Sequence, residues 1–194
     1  MSAGEGGALL ELDGIACLRG GRLLFEELTL GLGPGEATLV TGPNGAGKTS
    51  LIRIAAGLLK PAAGSVNRAR AALADDLPAL DERQSLARAL GFWARLDGAD
   101  ARAGMAAMGL APLANVPVRM LSAGQRRRAG LARAVASGAP LWLLDEPANG
   151  LDKEGAALLG RAMAAHLEGG GAILAASHIP LPFAPARTIA LGAA

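Results

Sequence analysis

Gly42-Pro43-Asn44-Gly45-Ala46-Gly47-Lys48-Thr49, followed by Ser50, is the stretch on which the reading of this 194-residue chain turns. It fits G-x-x-x-x-G-K-[ST], a phosphate-binding loop. Its glycines let successive backbone N–H groups converge on phosphate oxygens, and a helix starting there adds the positive end of its dipole. Lys48 is spaced to reach β- and γ-phosphates, and the Thr49 hydroxyl is placed as a ligand of Mg²⁺. The flanks agree. Residues 37–41 are a buried-strand candidate, and Leu51, Ile52, Ala55 and Leu58 fall on one face of a helix predicted over 48–59, with Pro61 and Gly64 beyond it.

Upstream, residues 8–12, 15–18 and 23–30 read as short strands separated by Gly14, Gly20 and Gly21, and Gly33-Pro34-Gly35-Glu36 as a turn. Downstream, residues 81–113 carry Leu86, Leu90, Trp93, Leu96, Met105 and Met108 at helical spacing, which predicts a small helical lobe. Ser122 is spaced to cap a further helix. The last third alternates again, with strand 141–144, helix 153–167 and strands 172–176 and 188–191. That order predicts parallel pairing.

Hydrophobic residues make up 51% and charged residues 19%, enough apolar material for a core. The formal charge of +2 and five aromatics give no basic, aromatic-laced surface for nucleic acid, which is excluded as a partner. A single cysteine excludes a disulfide framework or a multi-cysteine metal site. Residues 1–7 are small and acidic, unlike a secretory signal. Residues 169–186 are uncharged but hold three glycines and three prolines, so they are not expected to span a membrane as one helix.

Leu141-Trp142-Leu143-Leu144-Asp145-Glu146 is an apolar strand ending in two carboxylates, at the edge where open α/β sheets hold ligands. Asp145 suits the surroundings of Mg²⁺, and Glu146 can polarise an attacking water. His178 follows the next strand, where a donor to the γ-phosphate and water would be needed. His166 falls on the polar face of its predicted helix and reads as ordinary surface. Leu121-Ser122-Ala123-Gly124-Gln125 forms a second capped helix start. One nucleotide needs only one such device, so Ser122 and Gly124 read as contacts to a nucleotide held by a second subunit.

The set GPNGAGKT, LSAGQ, LWLLDEP, Asn149-Gly150-Leu151-Asp152 and His178 resembles the nucleotide-binding ATPases of ABC transporters, in family order and over nearly the whole chain. The resemblance implies an α/β fold: a P-loop NTPase core with a parallel sheet, an N-terminal antiparallel β subdomain and a small helical lobe. It also implies a single domain, with a RecA-like core at about 1–74 and 139–194 and the lobe at about 81–137. It implies ATP and Mg²⁺ as ligands, with Gln125 in the signature segment and Asp152 in a loop across a dimer interface. Two copies would close head to tail over two ATP molecules.

Cys17-Leu18-Arg19, Leu24-Phe25, Gly91-Phe92-Trp93, Gln125-Arg126-Arg127-Arg128 and Ala139-Pro140-Leu141-Trp142 are similar to the heme exporter ATP-binding subunits of cytochrome c maturation. That resemblance implies a membrane permease partner at the cytoplasmic face of a bacterial inner membrane. A scaffold-associated ABC ATPase of metal-cluster assembly would share every catalytic residue, as would the ATPase of another small-substrate exporter. A small-molecule kinase would have no use for LSAGQ.

Three positions depart from the family. Arg19 falls where an adenine-stacking aromatic is usual, and a guanidinium can stack in its place. Asp75 and Asp76 occupy the region of the coupling-loop glutamine, offering Mg²⁺ a carboxylate rather than an amide. Ala148-Asn149-Gly150-Leu151 precedes Asp152 where a Ser/Thr-Ala-Leu is more usual.

Overall fold

A computed structural model describes residues 7–75 and 79–192; Asp76 and the acidic N-terminal residues 1–6 lie outside the described residues. In chain order the elements are β1 (Leu10–Arg19), β2 (Arg22–Leu32), β3 (Ala37–Thr41), α1 (Lys48–Ala55), β4 (Ala63–Arg68) and β5 (Ala71–Ala74). There follow α2 (Leu86–Asp97), α3 (Ala101–Ala107), α4 (Ala123–Ala136), β6 (Leu141–Asp145), α5 (Lys153–Glu168), β7 (Ala172–Ala176) and β8 (Arg187–Ala190).

β6 and β7 are buried along their whole lengths, as parallel strands covered on both faces must be. They lie in a sheet ordered β5-β6-β7-β3-β8, parallel at every pairing. Alternation along each strand sorts the core into two layers. Trp142, Leu144, Ile173 and Ala175 face a cluster containing Leu86, Leu90, Leu131, Leu159 and Met163 from the helices. Leu141, Leu143, Ala172 and Leu174 face the other, with Leu51, Ile52 and Ile54 of α1 and Leu10, Leu12, Ile15 and Leu30 of β1 and β2. Truncating any of these fully buried leucines or isoleucines to Ala costs about 2–5 kcal/mol.

β1 pairs with β2 on one side and β4 on the other, giving an antiparallel sheet. The strands expected at 8–12 and 15–18 are in fact one. Gly14 adopts φ 56° within a register shift, and its N–H donates to the Thr29 hydroxyl, so the glycine bends the strand rather than ending it. β4 and β5 follow α1, between Pro61 and the lobe.

The helix expected over 48–59 stops at Ala55, ahead of Pro61. Gly57 turns left-handed at φ 73°, and the Arg68 guanidinium of β4 takes the Ala56 carbonyl at 2.9 Å. Leu58 therefore points away from the core, 68% exposed.

The lobe's first helix starts at Leu86 rather than near 81, because residues 82–85 run alongside 117–119 through backbone hydrogen bonds and a Ser85–Pro117 bridge. Helical structure does not run through to 113 either, since Ala111–Leu113 is a separate short 3₁₀ turn. Leu96 is 67% exposed, not core. Trp93 instead ties the lobe: its Nε1 donates to the Ala79 carbonyl at 2.6 Å, and the Arg133 guanidinium lies 3.7 Å over its ring.

His166 is likewise not a plain surface group. It stacks on buried Trp142 at 3.9 Å between ring centroids, with planes 9° apart. Burial pulls its pKa below the usual imidazole value, opposed by hydrogen bonding to the Ala172 and Pro140 backbone. Among the described residues no helix is long and apolar enough to cross a membrane.

Candidate active site

β3 ends at Thr41, and the chain must turn sharply to enter α1. Gly42 does so at φ 142°, a backbone region that glycine favours, with its Cα against the Leu191 carbonyl where any Cβ would collide. Gly47, immediately before α1, sits at φ 103°, and a Cβ there would lie 2.9 Å from the Phe25 ring of β2. The antiparallel sheet thus braces the loop, and no side chain caps the first turn of α1. Its N–H groups stay directed at the loop's concave side.

Lys48 is only 7% exposed. Its Nζ donates to the carbonyls of Gly42 at 2.8 Å and Pro43 at 3.3 Å, and lies 4.0 Å from Glu146 Oε1. Ala46 donates its N–H to the Pro43 carbonyl at 3.2 Å, closing the loop.

Glu146, one residue past β6, has φ 48°, left-handed for a residue with a side chain. Such a conformation costs about 1–3 kcal/mol and persists only where surroundings enforce it. Its N–H donates to Ala176 at 2.8 Å, and its carbonyl accepts from Asn149 N–H at 3.0 Å. The turn aims the carboxylate at His178, which follows β7: Oε2 lies 2.8 Å from His178 Nδ1 and accepts its backbone N–H at 3.2 Å.

These groups share a cleft of about 540 Å³. Asn44, Gly45, Gly47, Lys48, Thr49 and Ser50 line it together with Glu146 and His178. Gly42, Pro43, Ala46 and buried Asp145 are not among the residues that line it. A glycine cradle that a Cβ would obstruct, one nearly buried ammonium and an open hydroxyl at Thr49 fit a polyphosphate.

Ser122, Gly124, Gln125 and Asp152 do not line this cleft. Ser122 caps α4 reciprocally with Gln125: its Oγ accepts from Gln125 N–H at 3.2 Å, and Gln125 Oε1 accepts from Ser122 N–H at 2.9 Å. Gly124 faces the Gly150 carbonyl closely enough that a Cβ would sit 3.3 Å from it. Asp152 caps α5 by accepting from Gly155 N–H at 2.7 Å. The signature segment and the Asn149–Asp152 loop are therefore neighbours on one surface.

Arg19 lines the cleft together with Leu24 and Asn149. Nothing in the sequence around Leu24 or Asn149 marks them as cleft residues; the fold brings them there. Buried Arg127, which the sequence reading gave no role of its own, reaches the backbone of Asp75, Asp145 and Glu146. Its signal was present, since Arg127 shares the i, i+4, i+7 stripe with buried Leu131 and Ala134.

Comparison with known proteins gives the family and the fold. The family described as ABC transporter matches residues 25–149. The cytochrome c biogenesis ATP-binding export protein CcmA of Sphingopyxis alaskensis is 57% identical, covering 95% of this chain and 97% of that protein. The protein of the same name from Novosphingobium aromaticivorans is 53% identical over 91% of this chain and 92% of its own. A solved ATP-binding subunit of an ABC transporter superposes with TM-score 0.78 at 24% identity, covering 88% of this chain and 80% of that one, a likeness of fold. The chain belongs to the ABC transporter family of ATP-hydrolysing subunits, in the group of the cytochrome c biogenesis ATP-binding export proteins.

Proposed function

We propose that the cleft takes ATP with Mg²⁺, and that the chain is the ATP-driven motor of a membrane export complex serving heme delivery to c-type cytochromes. The observation that carries the catalytic part is the meeting of Glu146, His178 and Lys48 in the cleft lined by the glycine loop, at 2.8 Å and 4.0 Å. The likeness to cytochrome c biogenesis ATP-binding export proteins carries the pathway.

In this reading Lys48 turns from its loop carbonyls to the β- and γ-phosphates, and N–H groups of the loop other than that of Ala46 hold the phosphate oxygens. Glu146 orients water and accepts its proton, while His178 holds that carboxylate and faces the γ-phosphate. Arg19 offers a guanidinium face to the base. Thr49 and Asp145 would hold Mg²⁺, which supplies charge neutralisation on the phosphates.

Ser122, Gly124, Gln125 and Asp152 act on a second copy arranged head to tail. Their place outside the chain's own cleft supports this. An integral permease is the other partner, with the chain peripheral on the cytoplasmic face of the bacterial inner membrane. We read the chain as one domain with the core at 1–74 and 139–194 and the lobe at 81–137.

Replacement of the chain in its host by Glu146→Gln tests both parts. Expected are retained ATP binding, hydrolysis slowed by about 10²-fold or more, and loss of covalent heme from c-type cytochromes on stained gels. Normal heme staining in a strain whose purified variant is slow would overturn the pathway, and a near wild-type rate would overturn the role of Glu146.

A further inference from the structure

Arg127 lies on α4, five positions beyond the Ser122 cap, and is only 8% exposed. A long cationic side chain ordinarily carries its head out to water. This one turns inward. Its Nη1 donates to the Asp75 carbonyl at 2.6 Å, just past β5, and its Nη2 donates to the Asp145 carbonyl at 2.7 Å and to the Glu146 carbonyl.

The last two acceptors belong to the peptide units on either side of the Glu146 Cα. A single nitrogen that binds both restricts the two torsions of that residue. The residue so held is the one with left-handed φ 48° whose carboxylate faces His178 and Lys48. Charge assistance strengthens such bonds, and the planar guanidinium fixes their directions.

We infer that Arg127 is the positioning residue for the Glu146 carboxylate, a clamp that ties it to the signature helix and to the segment leaving β5. The inference rests on the reading of Glu146 given under Proposed function. When the N-terminus of α4 shifts against a second copy's nucleotide, Arg127 shifts with it. The carboxylate of the chain's own cleft then moves into or out of line. Two ATP sites in a dimer would thereby be linked through one side chain.

The test is a double-mutant cycle on the purified full-length chain with ATP and Mg²⁺. Arg127→Lys keeps the charge and the stem but cannot hold both peptide units and the Asp75 carbonyl. It is expected to lower kcat about tenfold, with affinity for a fluorescent ATP analogue within about twofold and a melting temperature lowered by no more than several degrees, so that the chain stays folded at the assay temperature. In a Glu146→Gln background the same substitution should lower the residual rate by less than about twofold, because its effect passes through a carboxylate already removed.

Equal losses of kcat in both backgrounds overturn the clamp. So does a fall in affinity and melting temperature matching the loss of rate, which would make Arg127 a fold residue only, and so does an unchanged kcat. If Glu146→Gln alone hydrolyses ATP like wild type, the reading of Glu146 fails and the inference falls with it. Additive losses with a slow Glu146→Gln overturn the inference alone.

Discussion

Oε2 of Glu146 accepts twice from His178, from Nδ1 at 2.8 Å and from the backbone N–H at 3.2 Å. An ionised carboxylate only accepts, so this partner places a ring proton on Nδ1. One carboxylate oxygen is thus held by His178, while Oε1 points toward Lys48. His178→Ala removes the ring donor and leaves Oε2 only the longer bond from the backbone N–H of residue 178, so the carboxylate is held less firmly. Hydrolysis should drop by about 10²-fold, the scale of a small misplacement of a reacting group, with ATP affinity nearly unchanged because the phosphate loop is intact. Steady-state phosphate release beside an equilibrium ATP titration checks it; equal loss in both would assign His178 to binding.

Lys48→Ala removes the cation facing the phosphates and also the two hydrogen bonds that draw Gly42 and Pro43 inward. Affinity for ATP should weaken and hydrolysis should fall to background. A variant that releases phosphate at a rate near wild type would remove Lys48 from the chemistry.

The loop, the α4 cap and the carboxylates at the end of β6 were legible because each is a local device: glycines, a Ser-x-x-Gln pair, an apolar run ending in acid. What escaped depends on distant partners. β4 is mostly exposed and has no apolar alternation to reveal it. It exists because β1 offers an edge. Gly14 is the usual sign of a break, yet pairing on both sides of β1 carries the strand through it. α1 ends where an arginine from β4 takes its carbonyl, not where the sequence places a proline. The stack of His166 on Trp142 joins residues from α5 and β6 that no periodicity connects.

That stack gives the fold a pH dependence. Burial lowers the pKa of His166 below its ordinary 6.5, so the unfolded chain binds a proton that the folded chain resists. The contribution is fully present above pH 6.5 and is lost as pH falls from there through the folded value. Urea midpoints of the wild type should decline on acidification through this window. His166→Phe, which keeps an aromatic against Trp142, should flatten that part of the decline. Parallel curves for the two proteins would remove His166 as the cause.

Ser122 caps α4 but lies outside the cleft that holds Lys48 and Glu146. If it serves the nucleotide of a second copy, Ser122→Arg should leave ATP binding to the isolated chain nearly intact while hydrolysis collapses, since a bulky side chain blocks closure over the opposite γ-phosphate. Inactive Ser122→Arg mixed with inactive Lys48→Ala should then regain part of the rate. In the mixed dimer both lesions fall in one composite site, and the other is untouched. For random pairing about half the dimers are mixed, so recovery of up to about a quarter of the wild-type rate is expected where one intact site turns over alone. ATP titration of each chain keeps the result interpretable when the sites turn over only together. Loss of ATP affinity in Ser122→Arg monomers would show that the segment serves its own nucleotide, and the head-to-tail arrangement would lose its support.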